Sequence, residues 1–178
     1  DQKDSKMTGG MGVFGPIELD QALLDTIENT IVRPCLDELL RRNMRFVGCL
    51  YPGIILTKEG PKVLEFNARF GDPEAQVCMR LLHEDGDLIE VFLACTRGTL
   101  DRIQLRWKEG YCASVTLATQ EYPDDPKIHP VIEMSPLLKT QPKTVVYHGG
   151  TSWSKGKLIA TGGRALHVTT LGHDRHNL

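Results

Sequence analysis

The chain has 178 residues, 40% of them apolar and 25% charged, with a formal net charge of −2. That length holds one ordinary domain or two small parts of a larger one, with enough apolar residues for a core. The charge balance speaks against a strongly electropositive nucleic-acid or membrane surface, and the longest aliphatic run, Ile54-Ile55-Leu56, is far too short to span a bilayer.

Residues 1–16 are polar and glycine-rich without periodicity, and read as a loop. From Glu18 to Leu40, Leu23, Leu24, Ile27, Ile31, Leu36, Leu39 and Leu40 recur at helical spacing, with Asp20 as a candidate cap. Pro34 interrupts the pattern and predicts two helices or a kinked one. Phe46–Thr57 is rich in Val, Ile, Leu and Tyr and predicts a strand. Lys58-Glu59-Gly60-Pro61 predicts a turn, and Lys62–Phe70 a returning antiparallel strand. Asp72 and Pro73 suit the cap and first turn of a helix carrying Ala75, Cys78, Met79, Leu81 and Leu82. Asp85-Gly86-Asp87 ends it, and Leu88, Val91, Phe92 and Cys95 predict another helix closing near Gly98. The last third reads as short strands, 111–117, 144–148, 157–161 and 165–170, divided by Gly and Pro. The fold class expected is α+β, with a boundary between Gly98 and Trp107.

Five cysteines, Cys35, Cys49, Cys78, Cys95 and Cys112, stand singly among apolar neighbours, and six histidines are scattered. Neither set has the spacing of a disulfide framework or a zinc site. With no export leader in the sequence as given, cytoplasm is the expected compartment.

Gly10-Met11-Gly12-Val13-Phe14-Gly15 spells the dinucleotide-binding G-x-G-x-x-G pattern. That fingerprint needs a buried strand before it and a helix starting within it. Asp4-Ser5-Lys6-Met7-Thr8 is too polar for the strand, and Pro16 stands where the helix should be running. The Rossmann reading is rejected. Thr8-Gly9-Gly10-Met11-Gly12 can still offer backbone N–H groups to a phosphate or carboxylate; a plain surface turn accounts for it as well.

If the strand extends through Arg69, then Glu65, Asn67 and Arg69 at i, i+2 and i+4 project from one face, and Leu64, Phe66 and Ala68 form the core face. Glu65 and Asn67 are hard oxygen donors of the kind magnesium takes alongside phosphate oxygens. Arg69 is a rigid fork for phosphoryl or carboxylate groups. From spacing alone, a solvated strand face explains the row equally well.

The run Glu65-Phe66-Asn67-Ala68-Arg69-Phe70-Gly71-Asp72-Pro73-Glu74-Ala75-Gln76 resembles the signature of the glycinamide ribonucleotide synthetase (phosphoribosylamine–glycine ligase) family. Thr8–Gly12 resembles a second motif of that family, and Asp1-Gln2-Lys3 a variant of its Asp-His-Lys. Residues 48–53, 147–151 and 162–169 fit further segments, in order along nearly the whole chain. The resemblance implies an ATP-grasp lobe that binds metal and substrates over residues 1–104, and a small β-rich C-terminal domain over 105–178. It implies ligation of glycine to 5-phosphoribosylamine with ATP through glycyl phosphate, an early step of purine synthesis. Glu65 and Asn67 would hold Mg2+ or Mn2+ on the ATP phosphates. Arg69 and Asp72 are the implied catalytic positions, and Asp1, Thr8, Gly9, Gly10, Met11, Gly12, Arg69 and Asp72 the implied substrate-binding ones.

The sequence departs from the family pattern in places. Gln2 replaces the usual His, and the Lys3–Thr8 spacer is short and lacks Gly-Pro-Asn. Tyr122-Pro123-Asp124-Asp125 lacks a glycine, and Pro52 and Gly150 replace alanine. The family's N-terminal domain and first ATP lobe are expected before Asp1, so the chain alone is expected to be inactive and poorly soluble. Two alternatives stand beside this reading: another ATP-grasp carboxylate–amine ligase, and a non-catalytic fragment serving as an interaction module.

Overall fold

The computed structural model describes residues 6–176. Asp1 and the Asp1-Gln2-Lys3 motif therefore lie outside the described residues. Chain order begins β1 (Gly12–Gly15), α1 (Gln21–Ile27), α2 (Arg33–Arg41), β2 (Tyr51–Thr57), β3 (Gly60–Asn67), α3 (Glu74–Leu81) and α4 (Leu88–Arg97). Five strands follow: β4 (Tyr111–Ala118), β5 (Thr144–His148), β6 (Thr151–Ser154), β7 (Lys157–Ala160) and β8 (Arg164–Gly172). The mixed helix-and-sheet class expected from the sequence is the one found. No helix among the described residues is long and apolar enough to cross a membrane.

Packing divides the chain into two compact units, each assembled from separated segments. The first comprises the chain up to Pro16, Asp72–Leu82 and Trp107 onward; the second comprises Ile17–Gly71 and His83–Arg106.

The first unit is built on an antiparallel sheet in the order β1-β4-β8-β5. Its central strand β8 buries Ala165, Leu166, His167 and Thr169, so both of its faces are covered. Val77 and Leu81 of α3 pack with Cys112 of β4, and Val13 and Leu171 close that cluster. Ala160, Ala165 and Leu166 form a second cluster with Ile132 and Val146. Burial pushes the Cys112 thiol up to about 11. Contrary to the loop expected over 1–16, β1 pairs with β4 from Gly12↔Val115 to Gly15↔Cys112. Its glycine-rich sequence carries little strand signal, and its partner lies about a hundred residues away. The β6–β7 hairpin supplies a strand, Thr151–Ser154, that the sequence did not announce.

The second unit opens with a helix that the Asp20 carboxylate caps, accepting from Leu23 N at 2.7 Å. The interruption expected at Pro34 takes the form of a π-helical segment, Glu28–Val32, joining α1 to α2. Pro34 follows directly as the second residue of α2, and the wider turn before it accommodates its ring and missing N–H. α4 is capped by Asp87, which accepts from Ile89 N at 2.8 Å, and ends on Gly98 with φ +69°.

β2 and β3 form the expected hairpin, with one irregularity that matters. Gly53 faces Glu65 but Ile54 faces Val63, so Leu64 opposes no residue of β2. Such a bulge resets the alternation of side chains. The core face expected from Leu64, Phe66 and Ala68 is thereby corrected: Leu64 is 69% exposed and Phe66 42%. The strand also stops at Asn67, so Ala68 and Arg69 lie beyond it.

The β4–β8 register places Ser114 opposite Thr169, and their hydroxyls meet at 2.8 Å in a fully buried pair. Thr169→Val leaves the Ser114 hydroxyl buried without that partner, and is expected to cost about 1–3 kcal/mol in urea unfolding. Adding Ser114→Ala should recover part of the loss. Strict additivity of the two substitutions would show that the pair is not coupled.

Candidate functional site

The second unit presents Glu65 and Asn67 on one face of β3, opposite Gly53 and Tyr51 of β2. They are two residues apart and both beyond the bulge, so the pleat points them the same way. Asn67 Nδ2 donates to Glu65 Oε1 at 2.9 Å, leaving the amide oxygen outside that bond. Carboxylate and amide are thus already adjacent and accessible, which fits a hard cation that takes one or two protein oxygens. Among the described residues no group of three or more His, Cys, Asp or Glu side chains gathers, and magnesium of this kind needs none. Arg69, past the strand end, donates from Nη1 to the carbonyl of Phe70 at 2.8 Å. The Phe70 ring lies 6.0 Å from that of Phe92, which anchors this turn to α4. Two of the three residues of the row are therefore side by side, and the third is held by its own turn.

The first unit holds Asp72 and the Thr8–Gly12 loop. Asp72 does not cap α3: the cap position is Pro73, with no side-chain hydrogen bond. The Asp72 carboxylate is engaged elsewhere. Oδ2 lies 3.1 Å from Arg164 Nη2 and Oδ1 lies 3.3 Å from His167 Nε2. Gln76 Nε2 donates to Oδ1 at 2.8 Å. Cap propensity is a local signal, and a guanidinium ninety residues away outcompetes it.

Arg164 reaches further. Its Nη1 donates to the carbonyl of Gly10 at 3.1 Å and to that of Asp72 at 2.5 Å. Gly9 N donates to the Tyr122 hydroxyl at 2.7 Å. The glycines of the loop serve this crowding. A Cβ on Gly10 would lie 2.7 Å from Pro73 Cδ and 2.9 Å from the Asp72 carbonyl, and one on Gly9 would lie 2.9 Å from Arg164 Cζ. The Gly9 N–H is already used, so the segment is held in place rather than loose and has one N–H fewer to offer.

Arg164, His167, Tyr122 and Gln76 carry this arrangement without having been singled out from the sequence. Arg164 and His167 lay within the 162–169 run quoted for the family resemblance, but nothing in the spacing linked them to Asp72. The available signal was the pair of glycine segments, 149–150 and 162–163. There the backbone passes so closely that a Cβ on Gly150 would meet Gly162 Cα at 2.6 Å.

His167 is 2% exposed, and its Nδ1 lies 3.0 Å from Thr116 Oγ1. With Nε2 turned to a carboxylate, the proton sits on Nε2 and Nδ1 accepts from the hydroxyl. Burial lowers its pKa from 6.5; Asp72 opposes that shift and Arg164 adds to it. The unfolded chain then binds the proton more readily than the folded one. Stability is therefore lost as pH falls below about 6.5, by at most about 1.4 kcal/mol per unit. His167→Gln, which keeps a donor toward Asp72, should flatten the urea midpoint between pH 7 and 5 relative to the native chain. Parallel curves for the two proteins would refute this.

Two family profiles match the chain: "Phosphoribosylglycinamide synthetase, ATP-grasp (A) domain" over residues 1–75, and "Phosphoribosylglycinamide synthetase, C domain" over residues 112–177. Phosphoribosylamine–glycine ligase of Caldanaerobacter subterraneus is 40% identical over 166 residues, covering 93% of this chain and 39% of its own length. The protein of that name from Vigna unguiculata is 38% identical, covering 94% of this chain and 55% of its own. The trifunctional purine biosynthetic protein adenosine-3 of Gallus gallus is 39% identical, covering 98% of this chain and 17% of its own. The crystal structure of phosphoribosylamine–glycine ligase from Thermotoga maritima superposes with a TM-score of 0.80 at 28% identity, covering 99% of this chain and 42% of that one. The chain thus spans about two fifths to just over half of the single-name relatives, and relatives of single and multiple function both match. With both profiles matching in order, and with relatives and a solved structure of one kind, the chain belongs to the phosphoribosylglycinamide synthetase family, of which it carries part of the ATP-grasp domain and the C domain.

Proposed function

We propose that the protein containing this chain joins glycine to 5-phosphoribosylamine, converting ATP to ADP and phosphate and yielding glycinamide ribonucleotide. The observation that carries this reading is the placement of Glu65 and Asn67, the first two polar residues of the family signature, as adjacent oxygen donors on one strand face. In the reaction proposed, a glycine carboxylate oxygen attacks the γ-phosphorus and ADP leaves, giving glycyl phosphate. The amine nitrogen then attacks the acyl carbon, the acyl–oxygen bond breaks, phosphate departs and the amine loses a proton.

In this reading Glu65 and Asn67 hold Mg2+ or Mn2+, whose charge would offset that of the ATP phosphates. Arg69 steadies the γ-phosphate and the acyl phosphate through its planar fork. Asp72 and the Thr8–Gly12 loop form the pocket for glycine and phosphoribosylamine, to which Asp1 also contributes. We assign residues 1–104 to the metal- and substrate-binding lobe and 105–178 to the C-terminal domain. The remaining ATP-binding parts come from the rest of a longer protein acting in the cytoplasm. Support for these assignments is the match of position to the family signature, together with the donor chemistry of each side chain.

The test is glycine- and phosphoribosylamine-dependent ADP release by the full-length protein. Activity is expected with glycine, and Glu65→Ala should lower kcat by more than about 100-fold, since several kcal/mol of charge stabilisation depends on the cation. Activity with another acid but none with glycine would replace this reading with that of a different ligase. Unimpaired turnover by Glu65→Ala would remove the metal assignment.

A further inference from the structure

We propose that Arg164 and Tyr122 are positioning residues that hold the Thr8–Gly12 loop against Asp72, and so set the pocket for the amine-bearing substrates. The proposal rests on the reading of that loop and Asp72 as the substrate pocket. It adds two residues, neither of which touches substrate in this scheme, and a way in which they act.

Arg164 satisfies three acceptors from two chain segments with one planar group. Nη1 takes the carbonyls of Gly10 and Asp72 at 3.1 and 2.5 Å, and Nη2 takes Asp72 Oδ2 at 3.1 Å. A guanidinium has its donors at fixed angles, so the three bonds set the Gly10 peptide plane relative to the Asp72 carboxylate. In a trans peptide the N–H points opposite to the C=O. With the Gly10 carbonyl turned onto Arg164, the Met11 N–H is directed away from it, leaving it outside the clamp. Tyr122 fixes the Thr8–Gly9 peptide by accepting from Gly9 N at 2.7 Å. Its own ring is seated by Gly163, where a Cβ would lie 2.3 Å from Tyr122 Cδ2.

The clamp has a backing. His167 Nε2 lies 3.3 Å from Asp72 Oδ1, and its Nδ1 lies 3.0 Å from Thr116 Oγ1, which in turn lies 3.3 Å from the Gly10 carbonyl. Arg164 thus ties loop and carboxylate directly, while the His167–Thr116 pair, with the hydroxyl donating its proton to Nδ1, backs the carboxylate and lies against the loop carbonyl. Asp72 keeps a substantial exposed area, at 41% of its side chain, while Arg164 has 24%. The carboxylate is therefore oriented from behind and open in front, which suits attraction of an ammonium or amine group.

Two measurements on the full-length protein test this. The first is independent of turnover: amide hydrogen exchange over residues 8–12. Arg164→Ala and Tyr122→Phe should each speed it by about 10-fold or more, and unchanged exchange overturns the positioning role whatever the protein catalyses. The second uses the ligase assay, in which an inactive native protein would count against the proposed function and not against the clamp. Arg164→Ala should raise KM for glycine or 5-phosphoribosylamine by about 10-fold, since small misplacements of a binding group have effects of that size or larger. KM for ATP should stay as it was. Arg164→Lys should fall between, because an ammonium cannot hold three acceptors in one plane, and ethylguanidinium should restore the Ala variant. If the Arg164 variants fail to fold, Tyr122→Phe decides, with an expected rise of a few-fold. Unaltered KM values with only a smaller active fraction, or a rise confined to ATP, would overturn the proposal.

Discussion

In the first unit, two segments far apart in sequence end on one guanidinium. Arg164 stands at the start of the central strand, and what it holds are not interchangeable surface partners but two main-chain carbonyls and a carboxylate. Its side chain is three-quarters covered, so each charge-assisted bond is screened less than at an open surface. The contrast with the helical pairs of the second unit is instructive. Arg33–Glu28, Arg41–Glu38 and Arg42–Glu38 are short but lie on side chains 41–71% exposed, where such pairs contribute little. Removing Arg164 would strand polar groups that the close packing of Gly9 and Gly10 keeps from rearranging. Gly9 leaves room for that side chain, and Gly10 for the Asp72–Pro73 backbone it bonds.

What the sequence showed and what it hid divide along one line, the range of the interaction. The helices were legible because their periodicity is local and their caps lie within three residues: Asp20 bonds Leu23 N as its position suggested. The β2–β3 hairpin was legible because its turn residues are adjacent. The bulge at Leu64 was not, since an unopposed residue is defined by the partner strand and not by its own neighbours. The same reason hid β1, whose four residues acquire their identity from β4. Asp72 is the sharpest case. Its local setting, before a proline and an apolar run, reads as a cap, yet its ionic partners Arg164 and His167 lie about ninety positions on.

The candidate site follows the same rule. Glu65 and Asn67 could be grouped because a strand's period is two, and they are in contact. Arg69 was grouped with them on the assumption that the strand continued, but the chain turns after Asn67 and its guanidinium bonds the adjacent carbonyl of Phe70. The glycine motif could be cleared of a dinucleotide role by the residues flanking it. That its glycines make room for an arginine could not be read from them at all. Residues that do chemistry were reachable through motif and spacing; residues that aim them were reachable only through the fold.

The strand order has a consequence for how such a chain is made. β8 lies between β4 and β5 and pairs with both, and among the described residues β5 has no other neighbour in its sheet. A chain emerging from the ribosome at about 5–20 residues per second therefore leaves the second edge of β4 unpaired for on the order of several seconds before the central strand exists. β1, α3 and β4 can pack as they emerge, but the rest of the sheet cannot assemble progressively. It waits for residues 164–172, then closes β4 and β5 onto them across loops whose entropy has to be overcome in a single late event. During that interval the unpaired edge of β4 is available to other nascent chains.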